Sequence, residues 1–419
     1  MDFFSQLEKK ISQEKIIKVC GLEGGAKAYF LLSLAEKIEF PLLAILKDED
    51  ESENLFDDLR ALRSLLNLQG EITLFPNANP VRNGVSRRDI SNGVNPIERL
   101  NCLAQIIENK LSLIVTAKDA FDKLTISKEL FLTFSKEIKS GEKIMRNEFI
   151  DLLEQNGYAR ADFVEQPSEY SLRGEIIDFW SANLALPVRI ILFEDTVEQI
   201  RSFNPNTQRS ENILDKVWII PAKEVGQGYL SEYLPAKSLV FQDIDTEESR
   251  IEDTLRDESE RVKDFMWIRN VAFPDRETLN FAAKAVPSFG GKFAFFVDEL
   301  NKWLKEKYEV HLFCSNQNEQ VRLLDLFEEK KMIKEIPSVS IGPLNTGFIL
   351  PREKLAVISA NDIFGRYKIR RRLPKFKLAR PLETLYEINP GDYVVHERCG
   401  IGLYRGLEHL LVEDKYADF

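Results

Sequence analysis

The sequence predicts a multidomain α/β protein, and three observations carry that reading. Strand and helix patterns alternate over residues 15–120, a run of short β segments fills 170–206, and a second alternation begins at 287. Strands separated by helical crossovers imply a parallel sheet, whereas strands joined by brief turns imply an antiparallel one. A chain of 419 residues has room for about two to four such domains.

The first region opens with a buried strand at Ile16–Cys20 and a helix at Ala26–Ile38. A second strand, Pro41–Leu46, and an amphipathic helix, Glu53–Leu66, follow. Glu71–Phe75 and Leu111–Thr116 are further strands, with helix Pro96–Asn109 between them. Pro76–Asn95 is polar and rich in Asn, Gly and Arg, hence a long loop of the kind in which function collects. It has no aromatic residue on which a base would stack. Its Arg82, Arg87 and Arg88, with Arg99 beyond it, are candidate phosphate contacts, although exposed arginines are more often simply solvated.

The β-rich region reads as strands Glu175–Trp180, Val188–Phe193 and Thr196–Phe203, an antiparallel meander, preceded by helix Arg146–Asn156. Arg173 and Gly174 stand at its entrance, where a guanidinium lies on the rim of a sheet. A strand at Asn212–Ile220 ends at Pro221 and returns the chain to the first region. Residues 243–264 carry an acidic run at helical spacing, best read as a solvated helix. The second alternation reads as strand Lys292–Val297, helix Asp298–Tyr308, strand Val310–Cys314 and helix Glu319–Lys331. Strands near Ser338–Ile341 and Leu355–Ser359 complete it. Arg366–Arg380 holds eight basic residues and no acid, with Pro374 and Pro381 against continuous helix, and is a linker. Short strands at Tyr393–His396 and Gly402–Gly406 begin a small β-barrel that the remaining residues do not close.

Composition limits the function. Hydrophobic residues make up 44% and charged residues 30%, a globular balance without a spanning run or signal core, so a cytoplasmic protein without membrane contact is expected. Four dispersed cysteines and three histidines offer no disulfide framework or zinc spacing, so no metal is expected. A net charge of −11 argues against nonspecific coating of nucleic acid. Gly21-Leu-Glu-Gly24-Gly25-Ala26-Lys27-Ala28 follows a strand and opens a helix, the place of a nucleotide-binding P-loop. Close approach to phosphate needs glycine at 26, and magnesium needs a hydroxyl at 28, but both are alanine. Glu23 adds a negative charge where phosphates would lie. The loop is degenerate, and neither ATP nor another cofactor is expected for this chain.

Arg173-Gly174-x-x-x-Asp178-Phe179-Trp180, with Val188-Arg189-x-x-x-Phe193-Glu194-Asp195-x-x-Glu198-x-Ile200, resembles the inserted domain of the repair protein UvrB. It is still more similar to the matching module of the bacterial transcription-repair coupling factors, although Trp180 replaces the usual proline-containing ending. In both families this domain docks UvrA, which implies Arg173 as anchor, with Arg160 and Phe179 as further candidates. UvrB has an intact P-loop and an aromatic hairpin that inserts into DNA, whereas the coupling factor's module has a degenerate loop, which favours the second family.

Pro390-Gly391-Asp392-Tyr393-Val394-Val395-His396-x-x-x-Gly400-Ile401-Gly402-x-Tyr404-x-Gly406-Leu407 resembles the start of the polymerase-interacting domain shared by coupling factors and CarD-type regulators. That implies contact with the RNA polymerase β subunit through Ile401, Tyr404, Leu407 and Leu410. Gly342-Pro-Leu-Asn-Thr-Gly347-Phe348 also resembles the coupling factor upstream of that domain. The resemblance implies a UvrB-like first domain at 1–120, a UvrA-docking domain at 121–207 and a return to the first at 208–284. A small α/β domain at 285–365, a basic linker at 366–385 and a partial polymerase-binding domain at 386–419 follow. It also implies a monomeric, non-hydrolytic adaptor in transcription-coupled nucleotide excision repair. Its family's ATP-driven motor, with ATP, magnesium and most DNA contacts, lies outside these residues. A UvrB-type helicase and a CarD-like regulator without a repair role are the alternatives.

Overall fold

The computed structural model describes residues 3–38, 41–66, 70–78, 96–236, 238–243, 262, 264–330, 337–365, 393–396, 400–403, 409–412 and 415–418. The chain divides into two compact units, Met1–Tyr367 and Lys368–Phe419. The basic linker and almost all of the acidic run lie outside the described residues, as do Arg82, Arg87 and Arg88.

The first unit begins with helix α1 (Phe3–Ile11), strand β1 (Ile16–Cys20), α2 (Ala26–Ala35), β2 (Leu42–Leu46) and α3 (Glu49–Leu62). Asp48 starts α3 by accepting a hydrogen bond from the Glu51 amide at 2.9 Å, and three acids fill the first turn, where the helix dipole favours them. Then come β3 (Glu71–Phe75), α4 (Pro96–Ile107) and β4 (Leu111–Ala117). The chain leaves this sheet through α5 (Lys118–Phe121) and α6 (Lys128–Phe134), builds a separate β-rich region, and returns.

The excursion contains β5 (Lys136–Lys139), α7 (Arg146–Gln155), β6 (Ala159–Arg160), β7 (Glu169–Arg173), β8 (Ile176–Phe179) and β9 (Val188–Phe193). It continues with β10 (Thr196–Phe203), β11 (Ser210–Leu214) and β12 (Lys216–Ile219). Six strands form a sheet in the order β11-β10-β9-β8-β7-β6, antiparallel from β7 to β11, as the short connections require. The β9–β10 turn is two residues, Glu194 and Asp195, both at positive φ, which matches the twist of a tight hairpin. The single strand expected at Asn212–Ile220 is instead two strands broken at Asp215. β11 edges the six-stranded sheet, while β12 turns away to pair with β5. Ile177, Phe179, Val188, Ile190, Val197 and Ile200 point to one face and close over Phe149 and Leu153 of α7.

The chain rejoins the first sheet as β13 (Leu239–Asp243), β14 (Met266–Asn270) and β15 (Leu279–Asn280). The order β15-β1-β14-β13-β2-β4-β3 is parallel throughout. All five residues of β2 are buried, because helices cover both faces of a parallel sheet. Leu42, Ala44 and Leu46 enter one core, and Leu43 and Ile45 the other.

A second sheet follows: β16 (Lys284–Ala285), α8 (Phe293–Lys305), β17 (Glu309–Cys314), α9 (Gln317–Lys330) and β18 (Ser338–Ile341), then β19 (Phe348–Leu350), β20 (Leu355–Ser359) and α10 (Ala360–Phe364). Its order is β16-β19-β20-β17-β18. Residues 293–297, expected as a strand, open helix α8: Phe296, Val297, Leu300 and Trp303 are its buried positions, a helical spacing that the apolar run Phe293–Val297 obscures. One face of this sheet packs on α8 and α9, and the other shares the first region's core. Phe313, Phe348, Leu350, Leu355 and Val357 join Leu31, Leu34, Leu59 and Leu62 there. Helix α2 is therefore buried nearly all round, having a sheet on either side.

In the second unit β21 (Tyr393–His396) pairs with β22 (Gly400–Leu403), and β23 (His409–Val412) with β24 (Lys415–Asp418), as two antiparallel hairpins.

Candidate partner face and the glycine-rich loop

The β7–β8 hairpin presents Arg173. Arg173 is the last residue of β7, paired with Ile176, so the turn is the two residues Gly174 and Glu175. Gly174 adopts a φ of 60°, and nothing lies within 4 Å of where its Cβ would stand, so the turn projects into open space. Behind it Asp178 is 1% exposed and faces Arg189 across the β8–β9 ladder. Arg189 donates from Nε and Nη2 to the two carboxylate oxygens at 2.7 and 2.8 Å, a bidentate pair. Its guanidinium also stacks over Phe203 at 4.8 Å.

Arg173 is held more loosely. Its Nη2 lies 3.4 Å from both the Asp178 carboxylate and Gln208 Oε1, long for hydrogen bonds. Its guanidinium sits 4.8 Å from the ring centre of Phe163, which is half exposed. Asp178 is thus shared, its short bonds going to Arg189, and Arg173 keeps only a long ion pair with it while remaining 41% exposed beside an aromatic platform. Neither Glu169 nor Glu175 pairs with it: Glu169 accepts instead from the amides of Glu165 and Gln166.

Arg160 is exposed on β6, next to β7 in the same sheet. Phe179 is elsewhere: it is fully buried, edge-on to Phe149 at 5.8 Å, and belongs to the core beneath the face. Phe163, by contrast, gave no signal in sequence, since only the fold brings its loop under Arg173. Arg99 also differs from expectation. It is fully buried, donating to Glu224 at 2.7 Å and the Pro76 carbonyl at 2.7 Å over the ring of Phe75, so it is a structural pair rather than a phosphate contact.

The glycine-rich loop joins β1 to α2. Gly21 and Gly24 have φ values of 73° and 55°. Ala26 and Ala28 are completely buried, while Glu23 is exposed. Lys27 reaches across to the carboxylate of Asp243 at the end of β13, whose other oxygen accepts from Asn270 at 2.8 Å. The lysine that would meet a phosphate is neutralised by a neighbouring strand. Facing the loop is the segment 342–347 between β18 and β19, and the Gly25 amide donates to the Thr346 carbonyl at 3.1 Å.

Ile401 lies on β22 and Leu410 on β23, whereas Tyr404 and Leu407 fall outside the described residues. Among the described residues no cluster of His, Cys, Asp or Glu is placed to hold a metal ion, and no helix is long and apolar enough to cross a membrane.

Comparison with known proteins bears on both surfaces. The family model of the UvrB interaction domain matches residues 137–225, which contain the Arg173 face, and that of the CarD-like/TRCF RID domain matches 388–419. The Transcription-repair-coupling factor of Bacillus subtilis (strain 168) is 23% identical, across 96% of this chain and 43% of the relative. That of Staphylococcus epidermidis strain RP62A is 22% identical, across 99% of this chain and 44% of the relative. That of Staphylococcus haemolyticus is 23% identical across 77% and 36%. The chain spans less than half the length of these curated relatives. Two domain matches in this order, with similarity along nearly all its residues, liken the chain to the transcription-repair-coupling factors over less than half of their length.

Proposed function

We propose that this chain is a non-hydrolytic adaptor that brings UvrA to stalled RNA polymerase in transcription-coupled repair. The observation that carries the reading is Arg173: an exposed guanidinium within the matched UvrB interaction domain, oriented by Phe163 and left available because Arg189 holds Asp178. A positive, loosely held group beside an exposed ring suits an acidic contact on a partner. Arg160, exposed on the neighbouring strand, stands beside Tyr170, whose side chain enters the core, so it points to the other side of the sheet from Arg173. Residues 388–419, with Ile401, Tyr404, Leu407 and Leu410, are assigned to the RNA polymerase β subunit as the opening part of a small barrel. On this reading the chain acts as a monomer in the cytoplasm without ATP or metal of its own, and motor work and most DNA contact reside elsewhere in the full-length family protein.

The test is capture of purified UvrA by the whole chain. Truncating a desolvated charge contact costs about 2–5 kcal/mol, so Arg173→Ala is expected to weaken binding about 30-fold or more. Arg173→Glu is expected to abolish it. Neither variant should melt differently, since the pair with Asp178 is long and solvated on one side. Normal UvrA binding by both variants would remove Arg173 from the interface.

A further inference from the structure

The Gly342–Gly347 segment does more than lie near the glycine-rich loop. The carbonyl of Thr346 accepts the Gly25 amide at 3.1 Å, the kind of contact a phosphate oxygen makes with such a loop. A Cβ on Gly24 would stand 2.5 Å from the Gly347 carbonyl oxygen and 3.0 Å from Thr346 Oγ1, so the two backbones meet where no side chain fits. Gly342 approaches helix α3 as closely, its Cβ position being 2.9 Å from that of Ala61.

Asn345 fixes the segment from the other side. Its amide and Nδ2 donate to Asp58 Oδ1 at 2.7 and 2.9 Å, and Nδ2 also donates to the Asn54 carbonyl at 3.0 Å. Asp58 is itself buried on α3. The far end is set within its own region, where Asp362 accepts from the Gly347 amide at 2.7 Å and Ser359 Oγ donates to the Leu344 carbonyl at 2.6 Å. Leu344, within the segment, and Phe348, just beyond it, sit in the core shared with α2 and α3.

We propose that the 342–347 segment is the built-in occupant of the glycine-rich loop: its backbone carbonyls take the phosphate position, closing the loop to nucleotide independently of Ala26 and Ala28 and clasping the second α/β region to the first. The proposal goes beyond the adaptor reading and needs neither UvrA nor polymerase. Two amides report on the clasp, Gly25 and Asn345, which lie on different regions and are joined through it.

Hydrogen exchange on the whole chain tests the coupling. Gly24→Ala, which pushes against the Gly347 carbonyl, is expected to speed exchange at Asn345 by about tenfold or more. Asp58→Ala, which removes the acceptor of Asn345, is expected to do the same at Gly25. Gly174→Ala shares the positive φ but has open space around it, so it controls for backbone strain and should leave both amides unchanged. If Gly24→Ala fails to fold, Asn345→Ala carries the same test at Gly25. The clasp is overturned if each change speeds only the amide beside it. Closure is read separately with Mg-ATP by calorimetry on the Ala26→Gly, Ala28→Ser double variant, which restores the missing glycine and a hydroxyl. No binding at millimolar nucleotide is expected, and micromolar binding would show that the alanines, not the segment, exclude nucleotide.

Discussion

Asp178→Ala is expected to destabilise the 136–219 region by about 3–5 kcal/mol, because it strands a charge. Arg189 is 16% exposed and loses both short hydrogen bonds to Asp178, keeping only a 3.4 Å contact to the Gln208 carbonyl and the ring of Phe203. The pair itself adds little beyond what two apolar groups of that shape would give. The double variant Asp178→Ala, Arg189→Met should therefore recover most of the loss. Exchange of the β8 and β9 amides measures both. A single-variant loss below about 1 kcal/mol would mean that water reaches Arg189 readily. The comparison also protects the reading of Arg173. Asp178→Ala is expected to lose partner binding through unfolding, whereas Arg173→Glu loses it with the sheet intact.

The difference between these two residues marks what the sequence could disclose. Local patterns were legible: β1, β3, β9, β10, β18 and β20 have the bounds expected from period and turn residues, which mark a strand's ends even where its partners, as for β1, are about 250 positions away. The all-apolar run at Phe293–Val297 was ambiguous for a physical reason, as a helix buried along a broad face and a buried strand look alike over five residues. Phe179 could have been placed from its own strand: Ile177 and Phe179 alternate onto the inner face, so a rim role was already disfavoured. The site's long-range pairs could not. Lys27 meets Asp243, Arg99 meets Glu224 and Asp58 meets Asn345 across 216, 125 and 287 positions. No spacing rule connects such residues, and it is these pairs that turn an apparent nucleotide loop into a closed one and an apparent phosphate-binding arginine into core.

Asp58 leads to the other large effect, a pH dependence that runs opposite to that of most carboxylates. Burial on α3 raises its carboxyl from 3.8 to about 7 in the folded chain. The hydrogen bonds from Asn345 and the charge of Lys27 pull the other way, and nearby Asp362 adds to the rise. Between those two values the folded state holds a proton that the unfolded chain has released. The stability tied to Asp58 is therefore fully present below about pH 4 and is lost as pH climbs through 7. The slope is about 1.4 kcal/mol per pH unit, or about 4 kcal/mol across the window. Other groups titrate as well, so the measurement is a difference. Stability of the native chain minus that of Asp58→Asn, taken from exchange of the β2 amides at pH 5, 6 and 7, should fall steadily, because asparagine has no proton to release. In an Asn345→Ala background the Nδ2 bond that favours the carboxylate is gone while the backbone amide bond stays, and the fall should extend to somewhat higher pH. A difference that stays level from pH 5 to 7 would mean that Asp58 is already ionised, with Asn345 holding the charge inside the fold.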